Sequence, residues 1–121
     1  MLSVFSKKGL DFGTRTLLEC LDTKNINGDI LDFGCGSGRD TKYFLDHRCR
    51  VEAMDGSLEL CKIASEYTGI TVKHMLFQEL DEKEAYDGIW ACASVLHVKR
   101  VELPDIIRKM SSATKVNGII Y

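Results

Sequence analysis

Three glycines stand in alternate positions at Gly34, Gly36 and Gly38, directly after the apolar run Ile30-Leu31-Asp32-Phe33 and directly before a segment with helical spacing. No other stretch restricts the possible folds as strongly. Glycine is required where the backbone takes a positive φ, or where something must lie against the main chain with no Cβ in between. Three of them in so short a space mark a site and not merely a turn. A loop that feeds a helix N-terminus also offers unpaired N–H groups and a positive dipole end, which suit a carboxylate or phosphate. Strand, glycine loop and helix in that order are the opening unit of a parallel sheet with helices on its faces.

The remaining sequence continues this alternation. Thr14 to Leu21 carries Leu17, Leu18 and Leu21 at helical spacing, closed by a turn cluster at Asn25 to Gly28. The first strand is Ile30 to Phe33, and a helix over Asp40 to His47 presents Thr41, Phe44 and Leu45 on one side. A second strand over Val51 to Met54 leads to a helix N-capped by Ser57, with Leu60, Cys61, Ala64 and Tyr67 as its apolar face and Gly69 at its C-terminus. Ile70 to Met75 predicts a third strand. Tyr86-Asp87-Gly88 introduces a fourth over Ile89 to Ser94, after an acidic loop at Asp81 to Glu84. Pro104 opens a last helix with Ile106, Ile107 and Met110 inward, and Asn117-Gly118 turns the chain into a fifth strand beginning Ile119-Ile120-Tyr121. The expected fold is α/β: a Rossmann-like, doubly wound, mostly parallel sheet.

A chain of 121 residues supports one domain, spanning 1–121. Its 16 basic and 18 acidic residues are mixed along the chain, without the basic stripe usual in nucleic-acid binders, so nucleic acid is not expected as a partner. The five cysteines form no C-x-x-C pair and their number is odd, which fits reduced thiols; no metal site is expected. No apolar run reaches the ~20 residues of a membrane span, and the start lacks the order of a signal peptide, so the expected location is cytoplasmic.

The glycine spacing is G-x-G-x-G preceded by Asp32, not the G-x-G-x-x-G/A of dinucleotide-binding folds, which would put Arg39 at its third small position. Asp55 follows at the end of the second strand, 17 residues beyond Gly38, where a carboxylate can accept both hydroxyls of a ribose; the plainer alternative is an Asx-type turn with Gly56 and Ser57. In this pattern the chain resembles the class I S-adenosylmethionine-dependent methyltransferases, whose first motif is D/E-x-G-x-G-x-G. Tyr86-Asp87-Gly88-Ile89-Trp90 is similar to the family's F/Y-D-x-I segment, Val95-Leu96-His97 to its L-x-H ending, and Lys115 to Ile120 to its K-P-G-G turn into strand five. From Asp32 to His97 the likeness is greatest to the small-molecule and chalcogen-oxyanion methyltransferases of the tellurite-resistance type, notably at Trp90-Ala91-Cys92-Ala93-Ser94. The opening, Val4 to Thr14, looks instead like the approach to the fold in ribosomal RNA guanine methyltransferases. Those enzymes carry Asn-Pro-Pro after strand four, where this chain has Ala93-Ser94-Val95-Leu96.

The resemblance implies strand order 3-2-1-4-5 and a cofactor, S-adenosyl-L-methionine, leaving as S-adenosyl-L-homocysteine. It implies a cofactor-binding set of Asp32, Gly34, Cys35, Gly36, Gly38, Asp55, Gly56, Phe77 and Gln78. Asp32 would reach the ligand's amino group directly or through water. Phe77 could pack on adenine and Gln78 supply a polar contact, or both could simply cover the core. His97, just past strand four, is the candidate catalytic residue, as substrate contact or base; its other reading is a capping or packing histidine. His47 and His74 read as surface or packing residues. A full domain of the family has seven strands and this sequence reaches only the fifth, so the last two are expected to be missing and strand five to form an exposed edge. A homodimer through that edge, or a poorly soluble monomer, is expected. The implied function is methyl transfer to a small-molecule acceptor; a non-catalytic cofactor-binding module or inactive fragment is the alternative.

Overall fold

The apolar runs collect into one sheet because each is bordered by helices that need a surface to cover. A computed structural model describes residue 19, residues 28–91 and residues 94–121. Apart from residue 19, the helix expected over Thr14 to Leu21 lies outside the described residues, as does most of the turn at Asn25 to Gly28. Within them run β1 (Asp29–Phe33), α1 (Arg39–Asp46), β2 (Arg50–Asp55), α2 (Leu58–Thr68), β3 (Lys73–His74), β4 (Tyr86–Trp90), α3 (Leu103–Ala113) and β5 (Thr114–Ile120). The strands form a single sheet in the order β3-β2-β1-β4-β5, and every adjacent pair is parallel.

Strand alternation assigns the two faces. Ile30 packs with Phe44 of α1 and with Trp90, while Ala53 packs with Cys61 and Ala64 of α2. Leu31 and Phe33 point the other way, into a cluster with Ile89, Ile106 and Met110 that α3 covers. The expected doubly wound architecture is therefore present. Ser57 caps α2 by accepting the Leu60 N–H at 3.3 Å, and Gly69 ends that helix at φ 83°. Among the described residues, no helix is long and apolar enough to cross a membrane.

Several boundaries differ from the sequence-based expectation. β3 keeps only two residues of the expected Ile70 to Met75. Side chains of α2 capture the N–H groups that a longer strand would need: Ile70 donates to Thr68 Oγ1 (3.4 Å) and Val72 to Ser65 Oγ (2.9 Å). β4 begins at Tyr86, three residues early, and Ser94 belongs not to the strand but to a 3₁₀ turn over Ser94–His97. On the helices, Tyr67 is 53% exposed and Ile107 49%, so neither faces the core as expected. Asn117-Gly118 is not a turn ahead of β5 but a bulge within it. Thr114 pairs with Tyr86 and Ile119 with Gly88, so residues 115–118 stand opposite Asp87 alone, and Asn117 takes φ 70° to allow it.

Candidate functional site

The glycine loop leaves the C-terminal end of β1 pinned to its neighbour strand, since the N–H groups of Gly34 and Cys35 both donate to the Met54 carbonyl, at 3.0 and 2.9 Å. All three loop glycines are left-handed, with φ of 85°, 58° and 94°. They serve different ends. A Cβ on Gly34 would meet Ser94 Cβ at 2.6 Å, and one on Gly38 would meet Thr68 Cγ2 at 2.9 Å and Ala64 Cβ at 3.1 Å. Those two glycines allow close packing. Among the described residues, a Cβ on Gly36 would meet nothing within 4 Å, so there that stretch of main chain faces open space.

The open space is a crevice of about 610 Å³ at the C-terminal ends of the strands, walled by Gly34, Gly36, Asp55 and Gly56 on the loop side. A parallel sheet offers its ligand site there, where the chain leaves β1 toward one face and β4 toward the other. The volume lies within the usual ~300–1,000 Å³ of small-molecule sites. Asp55 Oδ2 accepts the Gly36 N–H and Oδ1 accepts the Ser57 N–H, both at 2.9 Å. The Asx-type turn with Ser57 is thus present, yet the carboxylate also borders the crevice and each oxygen retains a further acceptor position. Replacing Asp55 by alanine frees the Gly36 N–H and removes the acceptor. We expect a sugar-bearing ligand to bind about 1–3 kcal/mol more weakly, and calorimetric titration reads this directly.

Asp32 sits elsewhere than expected. It is buried beneath the loop, does not line the crevice, and accepts a 2.6 Å hydrogen bond from the Thr41 hydroxyl of α1. Burial raises its carboxyl from the ordinary 3.8 to about 7, with Thr41 opposing and the nearby Asp40 and Asp55 adding to the rise. The folded state therefore holds a proton that the unfolded chain releases. The resulting stability is complete below about pH 4 and is lost as the pH climbs through about 7, by up to ~1.4 kcal/mol per unit. Asp32→Asn, which keeps an acceptor for Thr41, should flatten that slope in urea denaturation run from pH 4 to 8. An unaltered slope would assign the pH dependence to another group.

Cys35 also lies off the crevice, packed beside the Ala53–Cys61–Ala64 cluster, and burial pushes its thiol up to about 12. Gly38 is buried against α2. Phe77 and Gln78 do reach the crevice, in a 3₁₀ turn over Phe77–Glu79. Phe77 is stacked on Phe33 with ring centroids 4.4 Å apart, so it covers the core and borders the crevice at once. Gln78 Nε2 donates to Glu102 Oε1 at 2.6 Å, and the Gln78 carbonyl accepts from Lys109 Nζ at 2.9 Å. His97 stands exposed at the rim. His47 and His74 are exposed too: His47 stacks on Tyr43, and His74 Nε2 lies 3.1 Å from the Gly56 carbonyl oxygen.

Sequence reasoning missed Ser94, Lys99 and Glu102, which also line the crevice. No motif flags them; only the nearness of β4 to β1 does. The arrangement can seat a small organic molecule, with the Asp55 carboxylate open to hydrogen-bond donors and an apolar flank at Met75, Leu76 and Phe77.

Residues 30–118 match a family described as a methyltransferase domain. Among curated proteins, the chain is 36% identical over 95 residues to the ribosomal RNA small subunit methyltransferase C of Shewanella pealeana, covering 74% of this chain and 27% of that protein. Among solved structures, it resembles the sugar N-methyltransferase KedS8 from Streptoalloteichus, with TM-score 0.79, 17% identity, and coverage of 94% of this chain and 48% of that one. It also resembles a TehB-like SAM-dependent methyltransferase from Corynebacterium glutamicum, with TM-score 0.71, 20% identity, and coverage of 84% and 59%. The chain spans less than two thirds of the length of the curated relatives that it matches over most of its own sequence. The expectation that nucleic acid is no partner finds no support here, because a curated relative is named for ribosomal RNA.

Proposed function

The chain belongs to the methyltransferase-domain family, and from that premise we propose that its crevice binds S-adenosyl-L-methionine and that it transfers the methyl group to a small-molecule acceptor, leaving S-adenosyl-L-homocysteine. The observation that carries the reading is Gly36: bare main chain facing a crevice whose adjoining wall is the carboxylate of Asp55. The bound sulfonium would supply an activated methyl carbon. The protein's task is then to hold an acceptor close to it and collinear with it, which accounts for most of the acceleration in such a displacement.

Asp55 would accept the ribose hydroxyls, and Gly36 would let the amino-acid portion lie against the loop, with Gly34 bordering the crevice beside it. Phe77 offers its ring edge and Gln78 its amide to the nucleobase. Asp32, Cys35, Gly38 and Gly56 would act through the shape of the loop: Asp32 from beneath, bonded to Thr41, and Gly56 through its place at the crevice wall. His97, at the rim on the acceptor side, would contact the acceptor or take its proton.

A small acceptor is supported by the mixed charges at the rim, where Lys99 stands near Glu102, and by the absence of Asn-Pro-Pro after β4. A ribosomal RNA acceptor is the second reading, favoured by the 36% identity to the Shewanella enzyme. Titration with S-adenosylhomocysteine, S-adenosylmethionine and NAD tests the cofactor. Binding of NAD but neither sulfur ligand would refute the proposal. Labelled methyl transfer to deproteinised ribosomal RNA would move the acceptor to the second reading, and cofactor binding with no turnover on any acceptor would favour a non-catalytic module.

Among the described residues β5 pairs only with β4, leaving its other edge open, with Val116 and Ile120 exposed. Open edges recruit strands. A homodimer through β5, or a poorly soluble monomer, is accordingly expected, and a stable, soluble monomer by sedimentation at high concentration would count against it.

A further inference from the structure

Among the described residues, the charged side chains lining the crevice are Asp55, Glu102 and Lys99, two carboxylates against one ammonium. A concave lining with an excess of one sign concentrates the opposite sign within it. The two carboxylates are not equivalent. Asp55 already holds two main-chain N–H groups. Glu102 takes a single side-chain hydrogen bond among the described residues, from the neutral amide of Gln78, and no lysine or arginine among them pairs with it. It is also well anchored. Glu102 stands at the N-cap of α3, its carbonyl accepts the Ile106 N–H at 3.1 Å, and its side chain is half-buried. Lys99, by contrast, is exposed on a flexible stem. A half-buried carboxylate with acceptor positions to spare is a seat for a cationic donor, whereas an exposed ammonium is screened by water.

From this geometry we infer that the methyl acceptor is a small amine, seated as its ammonium form on Glu102 with His97 beside it. The inference rests on the methyl-transfer reading above. An R–NH3⁺ acceptor gives one N–H proton to the His97 imidazole. The freed nitrogen lone pair then forms the new C–N bond as the methyl C–S bond breaks and its electron pair returns to sulfur. The products are an N-methylammonium ion and a neutral thioether, and the imidazolium passes its proton to water. Glu102 is a specificity residue in this scheme: it holds the charge the nucleophile carries before it loses the proton and regains after transfer.

Three probes that share one apolar body and differ in head group test the inference on the full chain saturated with S-adenosylhomocysteine: benzylamine, benzyl alcohol and benzoate. Benzylamine should bind about tenfold more tightly than the other two. Glu102→Gln should bring the three to near equality, while Gln78→Ala should preserve or strengthen the amine preference by releasing the carboxylate. Benzoate bound best by the unmodified chain would overturn the inference in favour of Lys99. Retention of the amine preference in Glu102→Gln would overturn it as well. Binding of S-adenosylhomocysteine with no head-group preference would sink this inference alone, whereas failure of S-adenosylhomocysteine to bind at all would remove the reading beneath it.

Discussion

Gly36→Val should abolish binding of S-adenosylhomocysteine, lowering affinity more than about a hundredfold, or ~2.7 kcal/mol, while the chain still folds. Two effects combine. A branched side chain at this position enters the open crevice, because nothing among the described residues lies within 4 Å of its Cβ. The same residue sits at φ 58°, where a β-branched side chain is strained by about 1–2 kcal/mol. Relief of that strain would swing the Gly36 N–H away from Asp55, which it now reaches at 2.9 Å. The stability loss is expected to be confined to the strain, since no clash with the described residues accompanies it. Calorimetric titration paired with urea denaturation separates the two effects. Unchanged affinity would mean that the loop is only a turn.

Gly34→Ala should do the reverse, damaging the fold before the site. Its Cβ would stand 2.6 Å from Ser94 Cβ and 3.0 Å from the Phe77 ring, at a φ of 85° that disfavours any side chain. Overpacking of about 1–3 kcal/mol and backbone strain of about 1–2 kcal/mol together take a large part of the ~5–15 kcal/mol that holds an ordinary domain. Ser94→Gly in the same chain removes the nearest clashing carbon, and should restore part of the overpacking share while leaving the Phe77 contact and the strain. A double-mutant cycle in urea reads the coupling, expected above ~0.5 kcal/mol. Additive losses would mean that the loop shifts away from Ser94 at no cost.

The order of the elements was legible because strand and helix periods differ and because glycine has few substitutes at left-handed positions. The separate duties of the three loop glycines were not. Gly38 is set by Ala64 and Thr68, which lie some thirty positions further along, and only the packing of α2 beside α1 brings them together. Asp32 reads in one dimension as a ligand contact. In three dimensions its neighbour is Thr41, one turn into α1, and the inward period of that helix was the available clue. β3 looked longer than it is because Ile70 and Val72 are strand-like, whereas Thr68 and Ser65 decide where their N–H groups go. Glu102 gave no local signal, since a carboxylate before a proline-led helix is ordinary; its meaning comes from Gln78, bonded to it in the crevice lining.

The brevity of β3 has a consequence for how the molecule should respond to heat and to its ligand. The floor of the crevice is a ladder of main-chain bonds through β2, β1 and β4. Among the described residues, the flank over 75–79 has instead a single ladder bond, Met75 N–H to the Asp55 carbonyl, followed by side-chain ties to Glu79, Glu102 and Lys109. That flank should loosen first on mild warming and exchange its amide protons soonest, so any molecule spanning floor and flank would act as the missing rung.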